Sequence, residues 1–213
     1  KPERKFFHRK VYDGTDFRLF IVSIGTGTTS FENFPIEEFL FWMDGTAYIE
    51  PLAGNPYSFY AGDFIMQARG YDGAWTINAG EEQHLELALV AKQRADSTVF
   101  SPMDRPFAFD RATLSGVFPD GSGSSVQLYH GGELEAHVIK RGQSWSFSSR
   151  EKLIHVLNGI VTSEVGDPER TYYPGDFFVV PENYQGKWKS KGSQPVRTLE
   201  IGTVTQKHER NIP

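Results

Sequence analysis

Two stretches of equal length decide the fold: YAGDFIMQARGYDGAW at residues 60–75 and YPGDFFVVPENYQGKW at residues 173–188. They share a Tyr, a Gly-Asp-Phe step, a second Tyr, a Gly and a Trp at the same places, 113 residues apart. Similar sequence precedes both, since EEFLFWMDGTAYIE (residues 37–50) corresponds to EKLIHVLNGIVTSE (residues 151–164). A pattern that recurs at a fixed interval indicates a repeated structural unit. We therefore expect two copies of one fold.

Each copy has the pattern of an all-β domain. Short runs rich in Val, Ile, Phe and Tyr alternate with Gly, Pro and Asp turns, which is typical of sandwiches and barrels. No stretch keeps an apolar period of about 3.6 residues for three turns, so helices should be few. A polar segment with two prolines, KQRADSTVFSPMDRPFAFDR (residues 92–111), has no counterpart in the repeats. We place the domains at residues 1–105 and 106–213.

Composition excludes several classes of partner. The net charge of −5 and pI of about 5.7 argue against nucleic-acid binding, which normally needs a basic face. No apolar run reaches membrane-spanning length, so no membrane partner is expected. The absence of Cys excludes disulfides and thiolate metal sites. It fits a reducing compartment, and we expect a cytoplasmic location.

The repeated motifs resemble those of the cupin superfamily. Gly62-Asp63 and Gly175-Asp176, each followed by a strand, resemble the second cupin motif, and Glu38, separated from Gly45 by six residues, resembles the end of the first. The Trp steps at residues 73–75 and 186–188 are similar to a subclass that includes the ethanolamine-utilisation protein Q and, more distantly, ureidoglycine aminohydrolase. The resemblance covers residues 15–92 and 124–206. It implies a bicupin, two tandem double-stranded β-helix (jelly-roll) barrels.

The resemblance also shows where a cupin metal site would lie. The acid place holds Glu38 in the first half and Lys152 in the second, and the paired-His places fall in SFENF (residues 30–34) and SWSFSS (residues 144–149). The third-His places are Gly73 and Gly186. The family's ligand set is therefore missing from both halves, and no cofactor is predicted.

One alternative metal site stays open. Glu38, His84 and Glu86 would make a mixed His/Glu set for a transition metal such as Mn, Fe, Ni or Zn. The alternation of Leu85, Leu87 and Leu89 favours a different interpretation, in which His84 and Glu86 lie on the solvent face of a strand. The Gly-Asp steps are interpreted as turns, with Asp63 and Asp176 bonding nearby backbone.

The alternation of side chains along a strand predicts the candidate sites. Glu38, Leu40 and Trp42 should point into the first barrel, while Phe39, Phe41 and Met43 form an outer face covered by the other half or by a second chain. The predicted ligand-binding residues, each with the alternative that it only fills its barrel or reaches solvent, are Glu38, Trp75 and Tyr71 in the first barrel and Lys152, Trp188 and Tyr184 in the second.

The sequence thus predicts a bicupin that binds a small polar metabolite without the usual metal, and it leaves open whether the protein is an enzyme. One alternative is a metal-dependent hydrolase or oxygenase of small nitrogenous metabolites. Another is a structural or regulatory module with filled barrels, acting through its Phe39, Phe41 and Met43 face. A small-molecule ligand is the expected partner, and a homodimer is the further partner that this apolar face suggests.

Overall fold

The computed structural model describes residues 6–52, 55–79, 84–93, 107–109, 114, 124–147, 149–164 and 169–204. These residues form four antiparallel sheets, two in each half of the chain. Among them, no helix is long and apolar enough to cross a membrane. The predicted all-β architecture is therefore confirmed, and each pair of sheets closes into a jelly-roll barrel.

The first barrel consists of a six-stranded and a four-stranded sheet. The larger sheet has the order β1-β2-β9-β4-β7-β10, and the smaller has the order β3-β8-β5-β6. Its strands are β1 (Phe6–Asp13), β2 (Phe17–Ile24), β3 (Gly27–Phe31), β4 (Glu38–Asp44), β5 (Thr46–Pro51), β6 (Tyr57–Tyr60), β7 (Phe64–Gln67), β8 (Gly73–Asn78), β9 (His84–Ala91) and β10 (Phe107–Phe109). Because β10 pairs with β7, the first sheet continues past the boundary drawn at residue 105.

The second barrel repeats this arrangement, with shorter strands in its smaller sheet. Its sheets have the orders β11-β12-β19-β14-β17 and β13-β18-β15-β16. The strands are β11 (Ser125–His130), β12 (Leu134–Arg141), β13 (Ser144–Ser146), β14 (Lys152–Asn158), β15 (Val161–Ser163), β16 (Thr171–Tyr172), β17 (Phe177–Val180), β18 (Lys187–Ser190) and β19 (Val196–Thr203). The central strands β4 and β14 hold corresponding places, each between the barrel's last long strand and its Gly-Asp strand.

The Gly-Asp steps form the same turn twice, as predicted. Asp63 accepts a hydrogen bond from the Tyr60 amide at 2.9 Å, and Asp176 accepts one from the Tyr173 amide at 2.8 Å. The glycine before each Asp has a φ near +100°, at 97° and 102°, a conformation that favours glycine. Both acids are therefore turn formers.

The two barrels pack through the outer faces of their large sheets. Phe39, Phe64 and Leu89 of the first barrel belong to one buried cluster with Leu134 and Leu199 of the second, among other residues. A further cluster fills each barrel interior. The predicted outer face of β4 is thus covered by the other half of the chain, except for Met43, which is 46% exposed.

One buried glutamate from each barrel accepts hydrogen bonds from a turn of the other barrel. Glu37 accepts hydrogen bonds from the amides of Gly132, Glu133 and Leu134, at 2.7, 2.8 and 2.9 Å, in the β11–β12 turn. Its counterpart Glu151 accepts bonds from the amides of residues 15, 16 and 17 in the β1–β2 turn, at 3.2, 2.8 and 3.1 Å. Each barrel therefore completes the hydrogen bonding of a turn in the other, the pattern of a two-fold contact.

Glycine is required beside both glutamates. A Cβ built on Gly131 would overlap the Glu37 carboxylate, and a Cβ built on Gly14 would overlap the Glu151 carboxylate. Both carboxylates are 1% exposed. The Tyr12 hydroxyl also donates to Glu151, and burial, followed by this bond, raises the pKa of Tyr12 far above its ordinary value.

Candidate functional site

The inner face of the first large sheet presents opposite charges at one level. Arg18 on β2 and Glu38 on β4 are both paired with Val90 on the strand between them. Neighbouring strands lie about 4.8 Å apart, so the two Cα atoms are separated by roughly 10 Å. Phe20 and Ala88 form the next row. The result is an apolar floor with a cation at one end and a carboxylate at the other.

A pocket of about 340 Å³ lies over this floor. Its lining, which includes Glu38, is Phe6, His8, Arg18, Phe20, Val22, Ile36, Glu38, Ala88, Val90 and Ala91. Glu38 is therefore directed into the barrel mouth, on the same face as Leu40 and Trp42, as predicted from the strand period. Arg18 donates through Nε to Asp13 at 3.2 Å. This volume lies in the range that binds small molecules.

Trp75 and Tyr71 lie elsewhere, in the aromatic core of the first barrel. Trp75 contacts Phe31 and Trp42 with ring centroids 5.6 and 5.7 Å apart. Tyr71 is 1% exposed. Neither residue lines the pocket that Glu38 lines, so the predicted set of one acid and two aromatic residues is not assembled around one pocket.

Tyrosines occupy the space beside the two glycines at the predicted third-His places. A Cβ on Gly73 would overlap the Tyr71 phenol, and a Cβ on Gly186 would overlap the Tyr184 ring. The absence of a side chain at Gly73 therefore makes room for Tyr71. The repeated Tyr-x-Gly-x-Trp step thus places a phenol ring against the backbone where a metal-binding cupin would carry a ligand.

His84 and Glu86 are buried, which corrects the prediction that they face solvent. His84 is 0% and Glu86 6% exposed, and His84 Nε2 lies 3.1 Å from Glu86 Oε2. The His84 ring packs on Trp42 with centroids 4.6 Å apart. The alternation along β9 was identified correctly, but both faces of this strand are buried because the second barrel covers the leucine face.

The mixed metal site of Glu38, His84 and Glu86 is not assembled either. Glu38 is level with Val90, and Glu86 is level with Trp42. Four residues along a strand span about 13 Å, whereas two ligands of one metal ion each lie only about 2 Å from it. Among the described residues, no group of three or more His, Asp or Glu side chains is arranged to hold a metal ion.

The second barrel contains an ion network instead. Lys152 Nζ lies 3.0 Å from Glu200 Oε2; Arg141 also pairs with Glu200, and Thr198 donates to it at 3.0 Å. Burial, followed by the charge of Arg141, lowers the pKa of Lys152. Lys152 is therefore a network member on the inner face. Trp188, 4% exposed, stacks on Phe178 with ring centroids 4.8 Å apart.

The strand register shows that corresponding positions inside the two barrels hold different residues. Leu40 pairs with Ala88 in the first barrel, whereas Ile154 pairs with Glu200 in the second. Leu85-Glu86-Leu87 and Leu199-Glu200-Ile201 are similar in sequence, but they do not occupy matching levels, because Glu86 corresponds in space to Thr198. Glu86 and Glu200 are therefore two residues out of structural register.

Sequence reasoning missed Glu37, Glu151, Arg141 and Glu200. The sequence did contain a signal for Glu37 and Glu151. Both repeated segments begin with Glu, at residues 37 and 151, whereas the next residue is Glu38 in one segment and Lys152 in the other. An acid that both repeats keep, next to a position at which the repeats differ, indicates that this acid has the same structural role in both barrels. No comparable signal marked Arg141 or Glu200, whose partners lie on other strands.

Comparison with known proteins supports the fold. The model of the EutQ-like cupin domain matches residues 138–197. A search of curated proteins gave no match. Among solved structures, a cupin 2 conserved barrel domain protein from Leptotrichia buccalis is 15% identical with a TM-score of 0.64, covering 94% of this chain and 89% of its own.

Two further structures share the two-barrel arrangement. A putative glyoxylate-induced protein from Pseudomonas aeruginosa is 14% identical with a TM-score of 0.66, covering 97% of this chain and 83% of its own. An oxalate decarboxylase from Lactobacillus farciminis, solved as a formate complex, is 13% identical with a TM-score of 0.54, covering 95% of this chain and 82% of its own. At these identities the likeness shows the fold.

Proposed function

We propose, from the premise that the chain is a protein of the cupin superfamily, that it binds a small polar metabolite in the mouth of its first barrel without the usual cupin metal. The observation that carries the proposal is the pocket of about 340 Å³ in which Glu38 meets an apolar floor. The missing metal-ligand residues at both glycine places support it. The similar solved structures do not identify the ligand, because fold alone does not determine function.

The lining of the pocket favours an amphipathic ligand. Phe20, Val22 and Ala88 offer apolar contact, while Glu38 and Arg18 stand at opposite ends of one row. A ligand group that donates hydrogen bonds fits the carboxylate end, and an apolar body fits the floor between the charges. Apolar surface with few placed polar groups is the usual composition of small-molecule sites.

Thermal denaturation with a panel of small polar metabolites tests this proposal. A ligand that binds the folded state raises the melting temperature by an amount that grows with the logarithm of its concentration relative to its dissociation constant. We expect Glu38→Gln to weaken the response, and Val90→Trp to abolish it by filling the floor between the two charges. Glu32→Gln, an exposed acid outside this pocket, is the matched control. A ligand whose effect survives both pocket variants would show that it binds elsewhere.

Metal analysis separates this function from the metal-dependent alternative. The hydrolase or oxygenase hypothesis needs a transition metal held by Glu38, and the register keeps Glu38 about 13 Å along the strand from Glu86. Protein purified without chelators should hold metal well below one ion per chain. Stoichiometric Mn, Fe, Ni or Zn that is lost on Glu38→Gln would contradict our proposal.

The remaining alternative was a module that acts through the Phe39, Phe41 and Met43 face. That face is largely used inside the chain, since Phe39 is 0% exposed and Phe41 packs on the cluster between the barrels. A partner would reach Met43 but not the two phenylalanines. Side chains fill the interior of the first barrel, but a pocket remains at its mouth. The ligand-binding proposal rests on that pocket.

A further inference from the structure

In the part of the chain that the structure describes, buried indole N–H groups lack acceptors in both barrels, at Trp42 and Trp75 in the first and at Trp145 and Trp188 in the second, but only the second barrel adds an unpaired donor of a cation, Arg141. The indole Nε1 atoms of Trp145 and Trp188 and the Nε atom of Arg141 are inaccessible to solvent, and none has a hydrogen-bond partner among the described residues. A buried donor left unpaired is costly, and its occurrence in a folded protein calls for a specific explanation. Three donors in one chamber indicate a missing acceptor.

The three donors belong to one continuous group of side chains. Trp145 and Trp188 are directly paired across β13 and β18, so their side chains share a face. The Arg141 guanidinium carbon lies 5.8 Å from the Trp145 ring centre and 4.8 Å from that of Phe147. Phe147 in turn lies 5.3 Å from Trp188 between ring centroids. The donors therefore line one aromatic chamber.

The buried charges of this chamber also favour the binding of an anion. Glu200 is 1% exposed and is shared by two cations, Arg141 and Lys152, with Thr198 as a third donor. Glu135, whose side chain is 26% exposed, provides a further negative charge that acts on Lys152. Burial lowers the pKa of Arg141 to about 10 and, together with Arg141, that of Lys152. An anion beside Arg141 would reduce the unfavourable burial of its charge.

The charged end of the chamber has a route to solvent. The Lys152 and Arg141 side chains are 21% and 13% exposed, and His137, paired with Glu135 at 3.5 Å, stands at the same mouth with 24% exposure. Register places Val156 where the first barrel has Trp42, and Trp145 where it has Thr29. The second barrel therefore carries this indole on its small sheet, within 5.8 Å of the Arg141 guanidinium carbon.

We propose that the second barrel binds a small carboxylate, whose oxygens accept hydrogen bonds from the Trp145 and Trp188 indoles and from Arg141. Lys152, which lies on the other side of β19 from Arg141 in the same sheet, contributes the second positive charge. The planar carboxylate matches the forked guanidinium donors, and the aromatic walls suit a short organic chain. This site is independent of the first-barrel pocket and takes an acceptor-rich anion.

Indole NMR of the unmodified protein tests this directly. The chain has four Trp residues, two in each barrel, so the ¹⁵N–¹H spectrum reports both interiors, with assignment by single Trp→Phe variants. Titration with acetate or oxalate at constant ionic strength should move the Trp145 and Trp188 indole protons downfield. The Trp42 and Trp75 indoles are the internal controls and should stay unchanged. No movement, or equal movement of all four, overturns the proposal.

The ligand class and the donors have separate tests. Acetamide and ethylammonium should leave the indole signals in place, and a response to phosphate without one to acetate would overturn the carboxylate assignment. Arg141→Gln should weaken carboxylate binding at least about tenfold, because it removes a charge-assisted donor. Trp145→Phe, which keeps an aromatic ring but removes the N–H, should weaken it about three- to tenfold.

Controls distinguish loss of the site from loss of the fold. Arg9→Gln, which changes an exposed cation on β1 outside both sites, should leave carboxylate affinity unchanged, and circular dichroism melting checks that each variant is folded. If Arg141→Gln does not fold, Trp145→Phe and Lys152→Met carry the same test. Full affinity in a folded Trp145→Phe, Trp188→Phe double variant would overturn the assignment of the donors.

Discussion

The reciprocal glutamate contacts make a quantitative prediction for Glu37→Gln. The carboxylate accepts three backbone hydrogen bonds at 2.7–2.9 Å and is 1% exposed. Hydrogen bonds to charged groups contribute about 1.5–3 kcal/mol each, and glutamine keeps one acceptor oxygen while placing an NH₂ group against the remaining amides. We expect Glu37→Gln to lower the free energy of unfolding by about 3 kcal/mol.

Thermal and urea denaturation measure this loss. For a chain of this size, about 3 kcal/mol corresponds to a fall in melting temperature of roughly 6–12 °C. Glu32→Gln is the control, because this acid is exposed and its change should stay within about 0.5 kcal/mol. Glu151→Gln should resemble Glu37→Gln, since it makes the matching contacts. If Glu37→Gln melts with Glu32→Gln, the contacts between the barrels do not contribute as argued.

Three further predictions concern single sites. Gly186→Ala should destabilise by more than about 1 kcal/mol, measured by urea titration, because the new Cβ overlaps Tyr184; the double change with Tyr184→Ala should recover part of the loss. His84→Ala should cost about 2–4 kcal/mol in the same assay, since the ring is fully buried against Trp42 and a glutamate. The bond from His137 lowers the pKa of Glu135 below its ordinary 4.5. The stabilisation of the folded state by this bond is therefore present above pH 4.5 and lost as the pH falls through the lowered pKa of Glu135. The difference in free energy of unfolding between the protein and His137→Gln should vanish in acid and persist near neutral pH.

The fold could be read from the sequence because its signals are local. The Gly62 and Gly175 turns need a positive φ, and the Asp after each glycine bonds a backbone amide three residues earlier. These are short-range requirements, so the two quoted stretches identified them without a structure. The inward direction of Glu38 followed equally simply from the period of a strand.

The sites were harder to predict because their neighbours come from distant parts of the chain. His84 was placed in solvent, since alternation alone cannot show that a second barrel covers the leucine face of β9. Trp75 was grouped with Glu38, although the aromatic residues around it place it deeper in the barrel. Arg141 and Glu200 are 59 residues apart, and nothing in either segment signals the other.

The reciprocal placement of Glu37 and Glu151 also describes how such a chain is assembled. A single barrel of this type would leave the amides of its first turn without their acceptor, and a second copy related by a two-fold axis would supply it. The present chain carries both copies, so it is in effect a dimer joined end to end. Halves produced separately, one ending and the other beginning between residues 110 and 123, should each be unstable alone and fold when mixed.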